Sequence, residues 1–304
     1  MGYFELAIIG ATASGKSSLA IEIAEVFDGE VLSLDSLSIY KEIDIASAKP
    51  SKIELQRVPH HGIDIIYPDE YFSVVKFANL YKNISQKLQK SSKPLIITGG
   101  SSFYLKTLLD GLSPTPQIDN SIKRKVKEYL KYPDKAYNFL QKVDKNINIK
   151  PNDTYRLEKA LEIFLATDQP PTLYFKQNPP KPIIQEIPIF EIVWEREELR
   201  KRITKRTQQM VKMGLVDEVA ELESKYKNRT LTPLKAIGIK EVLDYFDGRV
   251  SKEQMREKII TNTARLAKRQ NTFNRSQFEK NIKRASLSQM KDEIFLQVQK
   301  ISED

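Results

Sequence analysis

Phe4-Glu5-Leu6-Ala7-Ile8-Ile9-Gly10-Ala11-Thr12-Ala13-Ser14-Gly15-Lys16-Ser17 is the stretch on which the fold of this chain turns. A short apolar run ends at Gly10. A helical pattern with Leu19, Ile23, Val26 and Phe27 on one face begins after Lys16. Gly10 to Ser17 matches G-x-x-x-x-G-K-[ST] at every fixed position, in the strand-to-helix setting that this phosphate loop needs. Glycines let backbone N–H groups turn inward around a phosphate, and the helix N-terminus adds partial positive charge. Lys16 neutralises the terminal phosphate and the Ser17 hydroxyl ligates magnesium. A phosphorylated ligand with Mg²⁺ follows from the motif. ATP does not, because any pyrophosphate fits the same cradle.

Outward from the loop, Val31–Leu34 reads as a second strand, Gly62–Ile66 as a third and Pro94–Thr98 as a fourth, followed by a helical Phe103–Leu109. Ile118 to about Tyr174 reads as helices only, with Asp153 as the N-cap of one carrying Leu157, Ala160, Leu161, Phe164 and Leu165. Ile189–Trp194 returns as a last strand, and the chain is then helical to near its end. Buried apolar strands alternating with amphipathic helices give the α/β class. The expected architecture is a P-loop NTPase-like parallel sheet flanked by helices. This core comprises residues 1–117 and 188–304, with an all-helical insertion domain at 118–187.

The 304 residues contain no cysteine, which excludes disulfides, a thiolate nucleophile and Cys-ligated metal sites. The start has no basic region before its apolar run, so it does not read as a signal peptide. No apolar stretch approaches the ~20 residues of a membrane span. A cytoplasmic monomer is expected. The net charge is +9, and it is concentrated: Ser121–Lys131 carries +4, Leu199–Gly214 +6 and Arg265–Arg284 +6, leaving −7 on the rest. Three basic clusters on an acidic body suit a nucleic acid as well as they suit solvated helix faces. The two histidines, His60 and His61, are adjacent without carboxylate partners, a poor metal pair, and read as structural.

Asp35 ends the second apolar run, and in open parallel sheets ligands sit at the carboxyl ends of strands. Beside a phosphate loop it is a candidate catalytic carboxylate. The fourth strand ends without an Asp, unlike the metal-binding strand of nucleotide hydrolases. It offers Gly99-Gly100-Ser101-Ser102 instead, which counts against a simple ATPase.

Eight blocks then carry a resemblance by their order and spacing. They are Gly10–Ser17, DSLSIYKEIDIASAKP (Asp35–Pro50), PHHGID (Pro59–Asp64), GGSSFYLKTLLDGL (Gly99–Leu112), PNDTYRLEKALE (Pro151–Glu162), MGLVDEV (Met213–Val219), KAIGIKE (Lys235–Glu241) and LAKRQNTFNR (Leu266–Arg275). Nearly end to end, the chain resembles the tRNA dimethylallyltransferases, the bacterial tRNA isopentenyltransferase family. The resemblance implies transfer of a dimethylallyl group from its diphosphate to the exocyclic amine of the adenosine 3′-adjacent to a tRNA anticodon. Gly10, Ala11, Thr12, Ala13, Ser14, Gly15, Lys16 and Ser17 would then hold the diphosphate, with Mg²⁺ on Ser17. Asp35 would take the amine's proton, and Lys16, Arg206 and Ser101 would complete the catalytic set. Arg202 lies one turn before Arg206 on the same face.

The implied tRNA contacts are Asp35, Ser36, Leu37, Ser38, Ser101, Lys123, Tyr155, Arg156, Lys159, Lys235, Lys240, Lys268, Arg269, Gln270, Phe273 and Arg275. Arg265, Lys268, Arg269 and Thr272 share a helix face suited to phosphates. The insertion would grip the anticodon stem. Departures from the family are Ala11 for a proline, Ser101 for a threonine, Glu42 and Ala46 for glycines, and Phe273 for a tryptophan. Rival readings are a prenyltransferase acting on free AMP or ADP, a P-loop small-molecule kinase and a non-catalytic RNA-binding P-loop protein. The insertion and basic helices oppose the first, the missing lid arginines the second, and Asp35 the third.

Overall fold

The computed structural model describes residues 2–279 and 282–303. Lys280, counted in the third basic cluster, lies outside the described residues, as do Met1 and Asp304. The chain forms two compact units, Met1–Leu109 with Ile184–Asp304, and Asp110–Ile183.

Through the first part of the chain run β1 (Glu5–Gly10), α1 (Lys16–Val26), β2 (Glu30–Ser33), α2 (Lys52–Arg57), β3 (His60–His61), α3 (Val74–Ser91), β4 (Leu95–Gly99) and α4 (Ser102–Asp110). The second unit holds α5 (Asn120–Leu130), α6 (Pro133–Val143), α7 (Thr154–Thr167) and α8 (Pro171–Gln177). The chain then continues with β5 (Ile189–Ile192), α9 (Arg196–Lys212), α10 (Leu215–Tyr226), a 3₁₀ turn (Pro233–Lys235), α11 (Ile239–Phe246), α12 (Lys252–Gln277), β6 (Ile282–Ala285) and α13 (Leu287–Glu303). No helix among the described residues is long and apolar enough to cross a membrane.

The sheet order is β3-β2-β4-β1-β5-β6, and every pairing is parallel. Ile8 lies opposite Thr98 of β4 and Phe190 of β5. Leu6, Ile8, Ile9 and Leu95 through Ile97 are fully buried, since helices cover both faces. One face packs on Leu19, Ala20, Ile23 and Ala24 of α1 and on Met290, Ile294 and Val298 of α13. Each such large side chain contributes about 1.5–3 kcal/mol through burial. The parallel arrangement brings the phosphate loop, Asp35 and Gly99-Gly100 to the carboxyl ends of three neighbouring strands.

Several expectations are corrected. The third strand is His60–His61, while Gly62–Ile66 is not a strand and pairs with Ser38–Lys41 around the isolated parallel Tyr40–Ile66 bridge. A sixth strand, β6, extends the sheet beyond β5. It carried no apolar signature because two of its four residues are Lys283 and Arg284. Arg284 is held there by a buried carboxylate: its Nε donates to Glu191 Oε2 at 2.7 Å, while Asn274 Nδ2 of α12 donates to Glu191 Oε1 at 2.8 Å. On α1, Val26 is exposed and the short side chains of Ala20 and Ala24 lie buried beside Leu19 and Ile23.

The second unit is helical, around Val126, Ala136, Leu140, Leu157 and Leu161. Asp153 accepts from Arg156 N and so caps α7. The expected borders at 118 and 187 shift to Asp110 and Ile183. An antiparallel Leu112–Lys181 bridge and the Tyr174 hydroxyl on the Pro114 carbonyl tie the Pro-rich segment into this unit. Ile184 N then donates to Leu108 O at 3.0 Å, which returns the chain to the core.

Gly99 is the tight point of the sheet, because an added Cβ would sit 2.6 Å from the Leu34 carbonyl carbon and side chain. Gly99→Ala should cost about 1–3 kcal/mol in urea unfolding. An unchanged midpoint would show that the β2–β4 spacing yields.

Candidate active site

The phosphate loop is fixed residue by residue from outside. Lys16 Nζ donates to Ala11 O at 3.1 Å, and Gln270 Oε1 accepts from Thr12 N at 2.9 Å. Arg202 Nε donates to Ala13 O at 2.8 Å, and the Trp194 indole donates to Ser14 O at 2.9 Å. The Arg202 guanidinium also stacks over the Trp194 ring at 4.4 Å. Gly15 has a φ of +94°, and a Cβ there would meet Leu287 at 2.8 Å. It caps α1 without a side-chain hydrogen bond, which leaves the first helical N–H groups for an anion.

Lys16 is buried, and its pKa is lowered to about 8 by burial and then by Arg206, against the pull of Asp35. Arg206 donates from Nη1 to Thr12 Oγ1 at 3.2 Å. Burial lowers its pKa as well, and Asp35 again opposes the shift. A buried and a half-buried cation and one carboxylate therefore face one space.

Asp35 follows β2, and its Oδ1 accepts from Leu37 N at 2.8 Å and Ser38 N at 3.3 Å. The carboxylate thus builds the turn Asp35–Ser38. Ser101 joins that turn to the end of β4: its N–H donates to Leu34 O at 2.9 Å, and its hydroxyl accepts from Ser36 N at 3.3 Å. Tyr104, stacked on Phe77 at 4.6 Å, lies in the same wall, and burial, then Tyr40 and Asp35, push its pKa up to about 12.

These groups line one cavity of about 770 Å³. Thr12, Lys16, Ser17, Asp35, Ser101 and Arg206 all border it. Ser36, Leu37, Ser38, Lys235, Arg269, Gln270 and Phe273 also reach it, whereas Lys240, Lys268 and Arg275 are exposed without bordering it. Arg265, Lys268, Arg269 and Thr272 are all exposed on α12, as their spacing implied. In the second unit, Lys123, Tyr155 and Arg156 are exposed, and Lys159 donates to Glu162 Oε2 at 2.8 Å.

Ser17 opens into the cavity. Among the described residues, no group of three His, Asp or Glu could hold a metal. One hydroxyl without a carboxylate cage suits a hard cation that takes its remaining ligands from phosphate and water, so the residues fit magnesium. Contrary to the sequence expectation, His61 has a carboxylate partner, its Nε2 pairing with Glu30 Oε2 at 2.5 Å, while His60 Nδ1 donates to Val58 O at 2.7 Å.

Trp194, Tyr104 and Glu218 escaped the sequence reading. Trp194 had one signal, being the only tryptophan and close to the end of a strand. Glu218 lies in the MGLVDEV block, and its carboxylate accepts from Asp44 N, Ile45 N and Ala46 N at 2.7–2.9 Å, fixing the cavity-lining loop. Glu42 stands at φ +66°, where the family's glycine would be at ease. An ion pair with Lys225 and a hydrogen bond from Tyr226 hold it there.

The family model described as IPP transferase matches residues 38–277. The chain belongs to the IPP transferase family. A tRNA dimethylallyltransferase of Nautilia profundicola is 55% identical over 294 residues, 96% of this chain and 99% of that protein. A crystal structure of a tRNA isopentenylpyrophosphate transferase from Staphylococcus epidermidis superposes with TM-score 0.70 at 31% identity, covering 99% of each chain. A eukaryotic dimethylallyltransferase acting on tRNA gives TM-score 0.83 at 27% identity, over 94% of this chain and 74% of its own. The matched family region begins at Ser38, just after the phosphate loop and Asp35.

The lowered pKa of Lys16 sets a pH dependence. Its charge is present below pH about 8 and is lost above it. Affinity for inorganic pyrophosphate, measured by calorimetry, should weaken as pH rises past that point, by up to about tenfold per unit. Lys16→Arg should remove this step, because arginine stays charged and the ligand's own ionisation is common to both proteins. Equal pH profiles would exclude Lys16 as the titrating group.

Proposed function

We propose that this chain transfers the dimethylallyl group of dimethylallyl diphosphate to the exocyclic amine of the adenosine 3′-adjacent to a tRNA anticodon, releasing diphosphate. The observation that carries the reading is the cavity that joins a phosphate loop to Asp35, in a chain of the IPP transferase family. Gly10 through Ser17 hold the diphosphate, with loop N–H groups and Lys16 on its oxygens. Ser17 would hold Mg²⁺, which when bound would supply positive charge for the leaving group.

In the reaction the amine nitrogen bonds to the allylic carbon as the carbon–oxygen bond to diphosphate breaks. Lys16 and Arg206 stabilise the charge that develops on the departing oxygen. Asp35 accepts the proton lost by the amine. Its Oδ1 is engaged by the turn, which leaves Oδ2 for this task. Ser101 holds the turn that carries Asp35.

The adenosine is flipped from its loop into the cavity. Lys235, Arg269 and Phe273 line its path, while Lys240, Lys268 and Arg275 meet phosphates. Lys123, Tyr155, Arg156 and Lys159 of the helical unit grip the anticodon stem. On this reading the protein works on tRNA in the cytoplasm, as a monomer.

Asp35→Asn keeps the oxygen that caps the turn and removes the charge. With dimethylallyl diphosphate, Mg²⁺ and an unmodified anticodon stem-loop, it should lower kcat about 10²–10⁴-fold and leave stem-loop affinity nearly unchanged. A loss confined to affinity would make Asp35 a binding residue. Lys268→Ala should weaken stem-loop binding and reduce the slope of log affinity against log salt by about one. An unchanged slope would remove the outer face of α12 from the interface.

A further inference from the structure

Gln270 sits among residues assigned above to RNA, yet its amide is committed within the protein. Oε1 accepts from Thr12 N at 2.9 Å, and Nε2 donates to Gly100 O at 2.9 Å. The amide orientation follows from its partners, because an N–H requires the oxygen and a carbonyl requires the nitrogen. Reading a base edge would break both bonds and leave two half-buried backbone groups unpaired.

The two partners belong to different halves of the site. Thr12 is in the phosphate loop and carries Arg206 on its hydroxyl. Gly100 precedes Ser101, whose hydroxyl and N–H hold the turn of Asp35. The helix that delivers Gln270 has its register fixed one turn later, where buried Asn274 donates to Glu191 of β5. Gln270 therefore spans the gap between the loop that takes the diphosphate and the loop that sets the carboxylate.

We propose that Gln270 is a positioning residue, not an RNA-reading one: it locks the phosphate loop to the loop after β4, so that donor carbon and acceptor amine keep a fixed separation. The inference rests on the proposed transfer reaction. Misplacement of reacting groups by about 1 Å can cost on the order of 10²-fold in rate, so one bridging amide has leverage on turnover.

Gln270→Met keeps the side-chain volume and removes both hydrogen bonds. Gly100→Ala attacks the same bridge from the other end, since a Cβ there collides with Gln270 Nε2. Both variants should lower kcat about ten- to a hundredfold with both substrates saturating. Stem-loop Kd should stay within about twofold although the thermal midpoint falls modestly, whereas a general loosening of the fold would weaken stem-loop binding as well. Inorganic pyrophosphate should bind the Gln270→Met variant about tenfold more weakly than wild type. A weakened stem-loop Kd with kcat restored at saturating RNA would overturn the proposal and make Gln270 a base reader. Unchanged kcat and pyrophosphate affinity would overturn it as well. If wild type bound pyrophosphate but prenylated no stem-loop, the proposed function would fail separately. The pyrophosphate affinities of the two proteins would still decide whether Gln270 holds the loop.

Discussion

A phosphate loop can receive an anion only if its own polar groups are already arranged, and here three of the four clamps that arrange it come from outside. Four successive residues, Ala11 to Ser14, each have a backbone group fixed by the side chain of Lys16, Gln270, Arg202 or Trp194. Freezing a flexible loop when ligand arrives would consume binding energy, so a loop held in advance leaves more of it for the diphosphate. The clamps come from the loop itself, from α9, from α12 and from just beyond β5. The helices packed over the strand ends are thus part of the anion site.

Charge within the cavity is only partly offset before any ligand binds. Burial disfavours the charged forms of Lys16 and Arg206, and Asp35 opposes that loss in both. Asp35 consequently has two tasks, shaping the turn at Leu37–Ser38 and offsetting two cations. On the proposed function, a diphosphate would take over the offset of the cations and leave the carboxylate for the amine's proton.

The long helix α12 has two chemically different faces. Ala267 and Asn274 are buried, and Gln270 reaches inward to two loops. Lys268, Arg269 and Thr272 remain exposed, and Arg269 and Phe273 also border the cavity. The Glu191–Asn274–Arg284 cluster is expensive to bury, and each of its partners removes a different unpaired group. It joins α12 and the charged strand β6 to the sheet, which sets where the exposed face of α12 points.

The sequence by itself determined whatever depends on contiguous residues. A phosphate is bound by consecutive N–H groups, so Gly10–Ser17 had to appear as one run, and a strand buried on both faces must read as an apolar stretch, as Leu95–Ile97 does. Asp35 was legible because a parallel sheet places strand ends together. Edge strands fell below this threshold: β3 has two residues, and half of β6 is charged, since Glu293 and the buried Glu191 satisfy Lys283 and Arg284. Only the tertiary structure decided the bridges, where Gln270 meets Thr12 across 258 positions and Trp194 meets Ser14 across 180. No local propensity encodes such pairs. They exist because packing brings a donor and an acceptor together where neither can be left unpaired.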